Sequence, residues 1–351
     1  MIDEQFTTAR AAGLAKIAIT DAATAKAAGL YAGWAESFLP VLRDHDILEV
    51  ESEFSFPLLN PETEAPSRTF LEAGKIDGIL RCKRTGLLKV LEHKTTSDSV
   101  DSDSNYWGRL TMDSQCSKYI LSLRQRGLDV RVALYDVVRK PLFRLGNVPI
   151  LDEEGLKIVL DGSGQRVRTK DGKKWRQSPD TEAGYVVSSR PETLTELAER
   201  THAEVKDRPS EFFVQKEIPR SDSDLLEYMQ DAWALSQQIL YFRRQNLWPR
   251  NPSACTAFGT CEFFELCSGR ATVDGIRYAA STAHQELSEL KEGDKQLLTN
   301  SRLSALRKCS RYHFLRYEQP TERVGEKDEA LALGSAFHAA AEEFLRHYIT
   351  K

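Results

Sequence analysis

Asp77, Glu92 and Lys94, two carboxylates and a lysine, are spaced so that a single β-hairpin would bring them together. Ala73–Cys82 and Leu87–Thr95 are apolar, β-rich runs. Lys83-Arg84-Thr85-Gly86 between them has turn chemistry, so the pattern predicts strand, tight turn, strand. With the turn centred between Arg84 and Thr85, Asp77 and Glu92 fall opposite each other, their Cβ atoms roughly 5 Å apart. Lys94 follows Glu92 by two residues and shares its face, while His93 points to the other. Carboxylates held that close repel unless a cation lies between them, and hard oxygen ligands suit Mg²⁺ or Mn²⁺. Such an ion polarises a phosphoryl oxygen and acidifies a bound water. A neighbouring lysine can orient that water or stabilise developing charge. This is the chemistry of phosphodiester hydrolysis. The competing reading is a surface hairpin with a Glu–Lys ladder pair.

The elements that must position these groups are also legible. Asp113 opens a helix that runs to a stop at Gly127 and sets Gln115 and Tyr119 on one face at i, i+4. Asp129–Val138 alternates as a strand, and Glu49–Pro57 as a first core strand followed by a loop, Leu58–Ser67. Residues 1–45 are Ala-rich and helical in pattern, with Gly13, Gly29 and Gly33 as expected interruptions. Helices over Glu192–Lys206 and Asp222–Asn246, around a short strand near Phe212–Ile218, read as scaffold.

Of six cysteines, three are clustered as Cys255-x₅-Cys261-x₅-Cys267, and Cys309 stands apart. Cys82 and Cys116 read as buried thiols. Three clustered cysteines and a distant fourth can ligate zinc or an iron–sulfur cluster, and thiolates alone do not choose between them. The x₅ spacings are longer than the usual structural zinc knuckle. No signal peptide is read, and a chain this long needs no disulfide stapling.

Gly74-x-x-Asp77, Glu92-x-Lys94 and Gln115-x-x-x-Tyr119, in that order, resemble the PD-(D/E)xK nuclease superfamily, in particular its RecB-like exonuclease branch. The resemblance implies a restriction-endonuclease-like α/β core, a mixed sheet flanked by helices, with helical additions. It implies a 4Fe-4S cluster on Cys255, Cys261, Cys267 and Cys309, as in AddB-type and CRISPR-associated exonucleases, although two of the late cysteines are there usually only two residues apart. It also implies that Gln115 and Tyr119 position DNA or support the site.

Motifs that begin the chain in that family come last here: a helix with Cys309, and Gly334-x-x-x-His338-x-x-x-Glu342. The order reads as a circular permutation. Residues 1–289 would form the nuclease core, 290–299 a polar linker around Leu290–Gln296, and 300–351 the motif helices completing the same domain. A truncated second copy, or a tail completing a neighbouring chain's site, would yield the same composite site. By resemblance, His338 joins Asp77 and Glu92 on the metal, with the His93 main-chain carbonyl a further candidate. An imidazole ligand favours Mn²⁺ over Mg²⁺.

With 351 residues, 41% apolar content and no run near the ~20 residues a membrane span requires, a cytoplasmic protein without a membrane role is expected. The formal charge of −4 leaves nucleic-acid affinity to local patches. One is the Asp171-Gly172 hairpin with Arg166, Arg168, Lys173, Lys174 and a stacking candidate, Trp175. The other is the group Arg302, Arg307, Lys308, Arg311 and Arg316. No phosphate-binding loop for a helicase motor is present, so a helicase or recombination partner would be a separate protein. The expected activity is metal-dependent hydrolysis of DNA, exonucleolytic on single strands or duplex ends, in recombination, repair or phage DNA processing. The alternative is a non-catalytic DNA-binding subunit of a helicase–nuclease complex, stabilised by iron–sulfur or zinc.

Overall fold

Alternation of apolar residues over four central strands gives a sheet with two covered faces. The structure, a computed structural model, describes all residues except 1, 258, 286, 288–294, 326–328, 350 and 351. Its central mixed sheet contains β1 (His45–Leu59), β2 (Pro66–Cys82), β3 (Leu88–Thr96), β4 (Val130–Arg139) and β5 (Phe213–Pro219), in that order across the sheet. Neighbours are antiparallel except β3 and β4, which run parallel. A short strand near the C-terminus, β6 (Gln296–Leu298), pairs in parallel with the start of β2, Leu297 opposite Leu71.

Consecutive residues point to opposite faces, so Leu80, Leu91 and Leu134 enter one core while Ile79, Val90 and Ala133 enter the other. The first core is closed by α1 (Ile2–Ala15), α2 (Ala22–Ser37) and the C-terminal helix, here α7 (Glu329–Arg346), with Trp34 packed edge-on to Phe337 and Phe344. The second is closed by α3 (Ser114–Gln125), through Cys116, Tyr119, Ile120 and Leu123. Beyond β4 come α4 (Leu194–Asp207) and α5 (Asp222–Gln245), and after β6 comes α6 (Asn300–Lys308). This mixed sheet flanked by helices is consistent with a restriction-endonuclease-like fold.

The tail is tied in by buried charge. Lys118 of α3 is fully buried between the Glu72 carboxylate (2.9 Å) and the Leu298 carbonyl oxygen (2.6 Å), and Tyr228 donates to the same Glu72. The linker segment expected over Leu290–Gln296 lies outside the described residues except for Lys295 and Gln296.

The glycines expected to interrupt the N-terminal helices do not. Gly13 lies inside α1, and Gly29 and Gly33 inside an unbroken α2. Their role is close approach: a Cβ on Gly29 would meet Thr201 Cβ of α4 at 2.7 Å, and one on Gly33 would meet Val205 at 2.5 Å. The loop expected over Leu58–Ser67 shrinks, because β1 runs to Leu59 and β2 begins at Pro66. Cys116 is buried as expected, but Cys82, beside the hairpin turn, is partly exposed. The short helix Asn105–Thr111 and the small two-stranded ladders between β4 and α4 were not foreseen.

Candidate active site

The β2–β3 ladder ends with Gly78 paired to Leu91, and Asp77 and Glu92 are the next residues along the two strands, close enough for the Asp77 charge to act on Glu92. Asp77 Oδ2 accepts the His93 N–H at 2.8 Å. Glu92 is buried; its Oε1 lies 2.6 Å from Lys94 Nζ, and its Oε2 has no hydrogen-bond partner. Burial, then the neighbouring Asp77 charge, pushes the Glu92 carboxyl up to about 8. Burial disfavours the charged form of Lys94, but Glu92 and Asp113 outweigh it and hold its pKa above the ordinary lysine value.

Lys94 Nζ also donates to Gln115 Oε1 at 2.7 Å, and Gln115 Nε2 donates to Tyr119 Oη at 2.7 Å. A line of contacts thus runs from the strand carboxylate through the lysine to one face of α3. Asp113, read in the sequence only as the residue that opens this helix, caps it through the Gln115 N–H and brings Oδ2 within 3.6 Å of Lys94 Nζ. Its position before a polar helix edge was the one sequence signal for that second role.

His93 points into the opposite core as its place on the strand requires. Its Nδ1 lies 2.8 Å from Asp136, which also accepts from Trp34 and Gln215. Its Nδ1 is thus engaged by Asp136, its Nε2 is buried without a hydrogen-bond partner, and its main-chain carbonyl remains a candidate ligand. His338 on α7 approaches from the tail, its ring 6.3 Å from that of His93. Burial pushes its imidazole down to about 4, so the ring is neutral and its nitrogen lone pair available. Gly334, one turn earlier, lets α7 close on β3, since a Cβ there would stand 3.0 Å from Thr95 Oγ1. Glu342 pairs with Arg346. Glu51, unremarked in the sequence, lies across β1–β2 beside Asp77 in a left-handed conformation (φ 53°), ion-paired to Lys75.

Among the described residues, no group of three or more His, Cys, Asp or Glu side chains is arranged to hold a metal ion. Asp77, Glu92 and His338 nevertheless fit one as a donor set: two carboxylates, one with an unpartnered buried oxygen, and a neutral imidazole. Cys255, Cys261, Cys267 and Cys309 line one cavity of about 210 Å³, with Phe263, Phe264 and Tyr312.

The basic patches differ from expectation. The 169–174 turn is a hairpin closed by Thr169 N–H to the Lys174 carbonyl, and Lys173 and Lys174 are exposed. Trp175, however, is not an open stacking face, because the Arg166 and Arg168 guanidinia lie 4.4 and 4.1 Å from its ring centroid. Arg166 is also paired with Asp152. Arg302 is buried, donating to the Leu297 carbonyl and to Glu318, so it is no part of a surface patch. Arg311 donates to the Trp248 carbonyl and lies over Phe314.

Residues 297–351, the segment carrying α6, Cys309 and His338, match the sequence model of the PD-(D/E)XK nuclease superfamily. Over that segment the chain is similar to this superfamily of nucleases. No curated protein and no solved structure matches it. Among the described residues, no helix is long and apolar enough to cross a membrane.

Proposed function

We propose that the chain is a metal-dependent nuclease that hydrolyses DNA phosphodiesters, exonucleolytically on single strands or duplex ends. The observation that carries this reading is Glu92: a buried carboxylate beside Asp77, with one oxygen held by Lys94 and the other unpartnered. Lys94 satisfies one oxygen, and a divalent ion would satisfy the other and favour the ionised carboxylate.

Asp77, Glu92 and His338 would hold the ion, with the His93 main-chain carbonyl as a further ligand. Mg²⁺ or Mn²⁺ bound there supplies Lewis acidity and a water of lowered pKa, and the imidazole favours Mn²⁺. Lys94 stays protonated, so it orients the attacking water and stabilises negative charge on the phosphoryl oxygens. Gln115 and Tyr119 fix the Lys94 head group and present polar atoms to the strand being cut.

A 4Fe-4S cluster on Cys255, Cys261, Cys267 and Cys309 is proposed as a structural clamp. Zinc draws its thiolates to about 2.3 Å, packing four sulfurs tightly around one point. The four thiols line one cavity of about 210 Å³, a placement that supports a single shared centre. The family match on the C-terminal segment, joined to the core through β6 and α7, supports a circularly permuted order. Arg168, Lys173, Lys174 and Arg311 remain candidate DNA contacts, and a helicase or recombination protein a candidate partner, in a cytoplasmic setting of recombination, repair or phage DNA processing.

The test is Mn²⁺-dependent degradation of end-labelled single-stranded DNA by the cluster-intact chain and by Lys94→Ala. Cutting by the first and not the second is expected. A wild-type chain that cuts neither single strands nor duplex ends overturns the reading in favour of a DNA-binding subunit.

A further inference from the structure

A second polar cleft opens at the far end of the catalytic strand. It has a volume of about 240 Å³, and its lining includes Lys26, Ser97, Lys140, Arg144 and Glu329. Three of these residues are cationic and one acidic, in a chain whose formal charge is −4. Lys26 is the unusual member, because its side chain is only 9% exposed. Its ammonium is 2.7 Å from Glu329, whose own side chain is 62% exposed. A lysine is seldom buried to this extent, and here its charged end faces a solvent-connected cleft.

The cleft adjoins the candidate active site. β3 and β4 run parallel and end together, Thr96 opposite Arg139, and the Lys140 N–H donates to the Thr96 carbonyl at 2.7 Å. Ser97 lies three residues beyond Lys94, about 10 Å along the strand. Gly334 links the two sites: a Cβ there would stand 3.0 Å from Thr95 Oγ1 and 3.8 Å from Lys140 Nζ, one helical turn before His338. The Lys140 ammonium therefore lies beside the α7 turn that leads to the histidine.

We infer that this cleft is a phosphate subsite, in which Lys140, Arg144 and Lys26 with the Ser97 hydroxyl bind a DNA backbone phosphate neighbouring the scissile one. The inference rests on the nuclease reading for its substrate. Cations around a small cleft, with a hydroxyl donor, are the chemistry of phosphate binding, and a contact there would set the register of the strand over Lys94. Glu329 is the internal counter-ion that a phosphate would displace from Lys26.

The experiment is a salt titration of binding to a labelled single-stranded oligonucleotide, read by anisotropy with the full chain in the absence of divalent metal. Because the cleft takes one phosphate, Lys140→Ala/Arg144→Ala should flatten the slope of log K against log salt by about 0.7 and weaken low-salt binding about tenfold. Arg131→Ala, an exposed cation at the opposite end of β4, should change neither. Ser97→Glu, a single exposed substitution that places a carboxylate in the cleft, should weaken binding as the double variant does. A double variant and Ser97→Glu that both titrate like Arg131→Ala overturn the subsite. If the wild type cuts DNA and that result is obtained, hydrolysis stands without it. If the slope flattens as expected but the wild type never cuts, the subsite is supported and the hydrolysis reading falls.

Discussion

Lys94 Nζ sits 2.6 Å from Glu92 Oε1, two residues away on the same strand, while Glu92 Oε2 is buried with no partner. The lysine thus supports both folding and chemistry. Lys94→Ala leaves the buried Glu92 carboxyl, already pushed up to about 8, without its hydrogen-bond partner and should cost about 1–3 kcal/mol of stability. Adding Glu92→Gln to that variant should restore stability chiefly above about pH 8, where the unpaired carboxyl would otherwise ionise. Activity should stay at least 100-fold down in both, of the order expected for losing a preorganised electrostatic partner. Urea unfolding of the four proteins in the cycle, with nuclease assays alongside, separates the two roles.

Gly29→Ala should destabilise the protein even though alanine is the better helix former by about 1 kcal/mol. The added Cβ would overlap the Ala198 carbonyl oxygen and press on Thr201. Overpacking against a neighbouring backbone costs about 1–3 kcal/mol, which exceeds the propensity gain. Gly108→Ala, where a Cβ would meet nothing within 4 Å, should instead raise the thermal midpoint slightly. A Gly29→Ala midpoint at or above wild type would mean that α4 yields at no cost.

Acid stability should depend on His313. Burial, reinforced by the Arg302 charge, pushes its imidazole down to about 3. Between that value and the ordinary histidine value near 6.5, the unfolded chain binds a proton that the folded chain refuses. Stability therefore falls as pH drops through this window, by up to about 1.4 kcal/mol per unit. His313→Phe keeps a ring on Trp248, now stacked at 5.4 Å, and should flatten the acid limb of a pH-dependent denaturation series.

Cys309→Ser should remove most of the visible absorbance near 400 nm, and most of the iron, from an anaerobic preparation. The thermal midpoint should fall with it, since Cys309 joins α6 to the segment at 255–267. A colourless wild type carrying stoichiometric zinc would overturn the cluster.

Period-two patterning and the turn at Lys83–Gly86 determine the hairpin by themselves, and with it the nearness of Asp77 and Glu92, because strand register is local geometry. The same holds for Gln115 and Tyr119, whose four-residue spacing fixes a shared helix face. Tertiary structure decided what no local pattern encodes. It turned Gly29 and Gly33 from apparent helix breaks into close-packing positions, because the neighbour that needs the space lies some 170 residues away in α4. It took Arg302 out of the surface and into a buried network, and covered Trp175 with two guanidinia. It also brought the C-terminal helix back onto β3, beside residues about 240 positions earlier in the chain. The composition of a segment records which groups it carries, but burial and partnership depend on surfaces supplied from elsewhere in the fold.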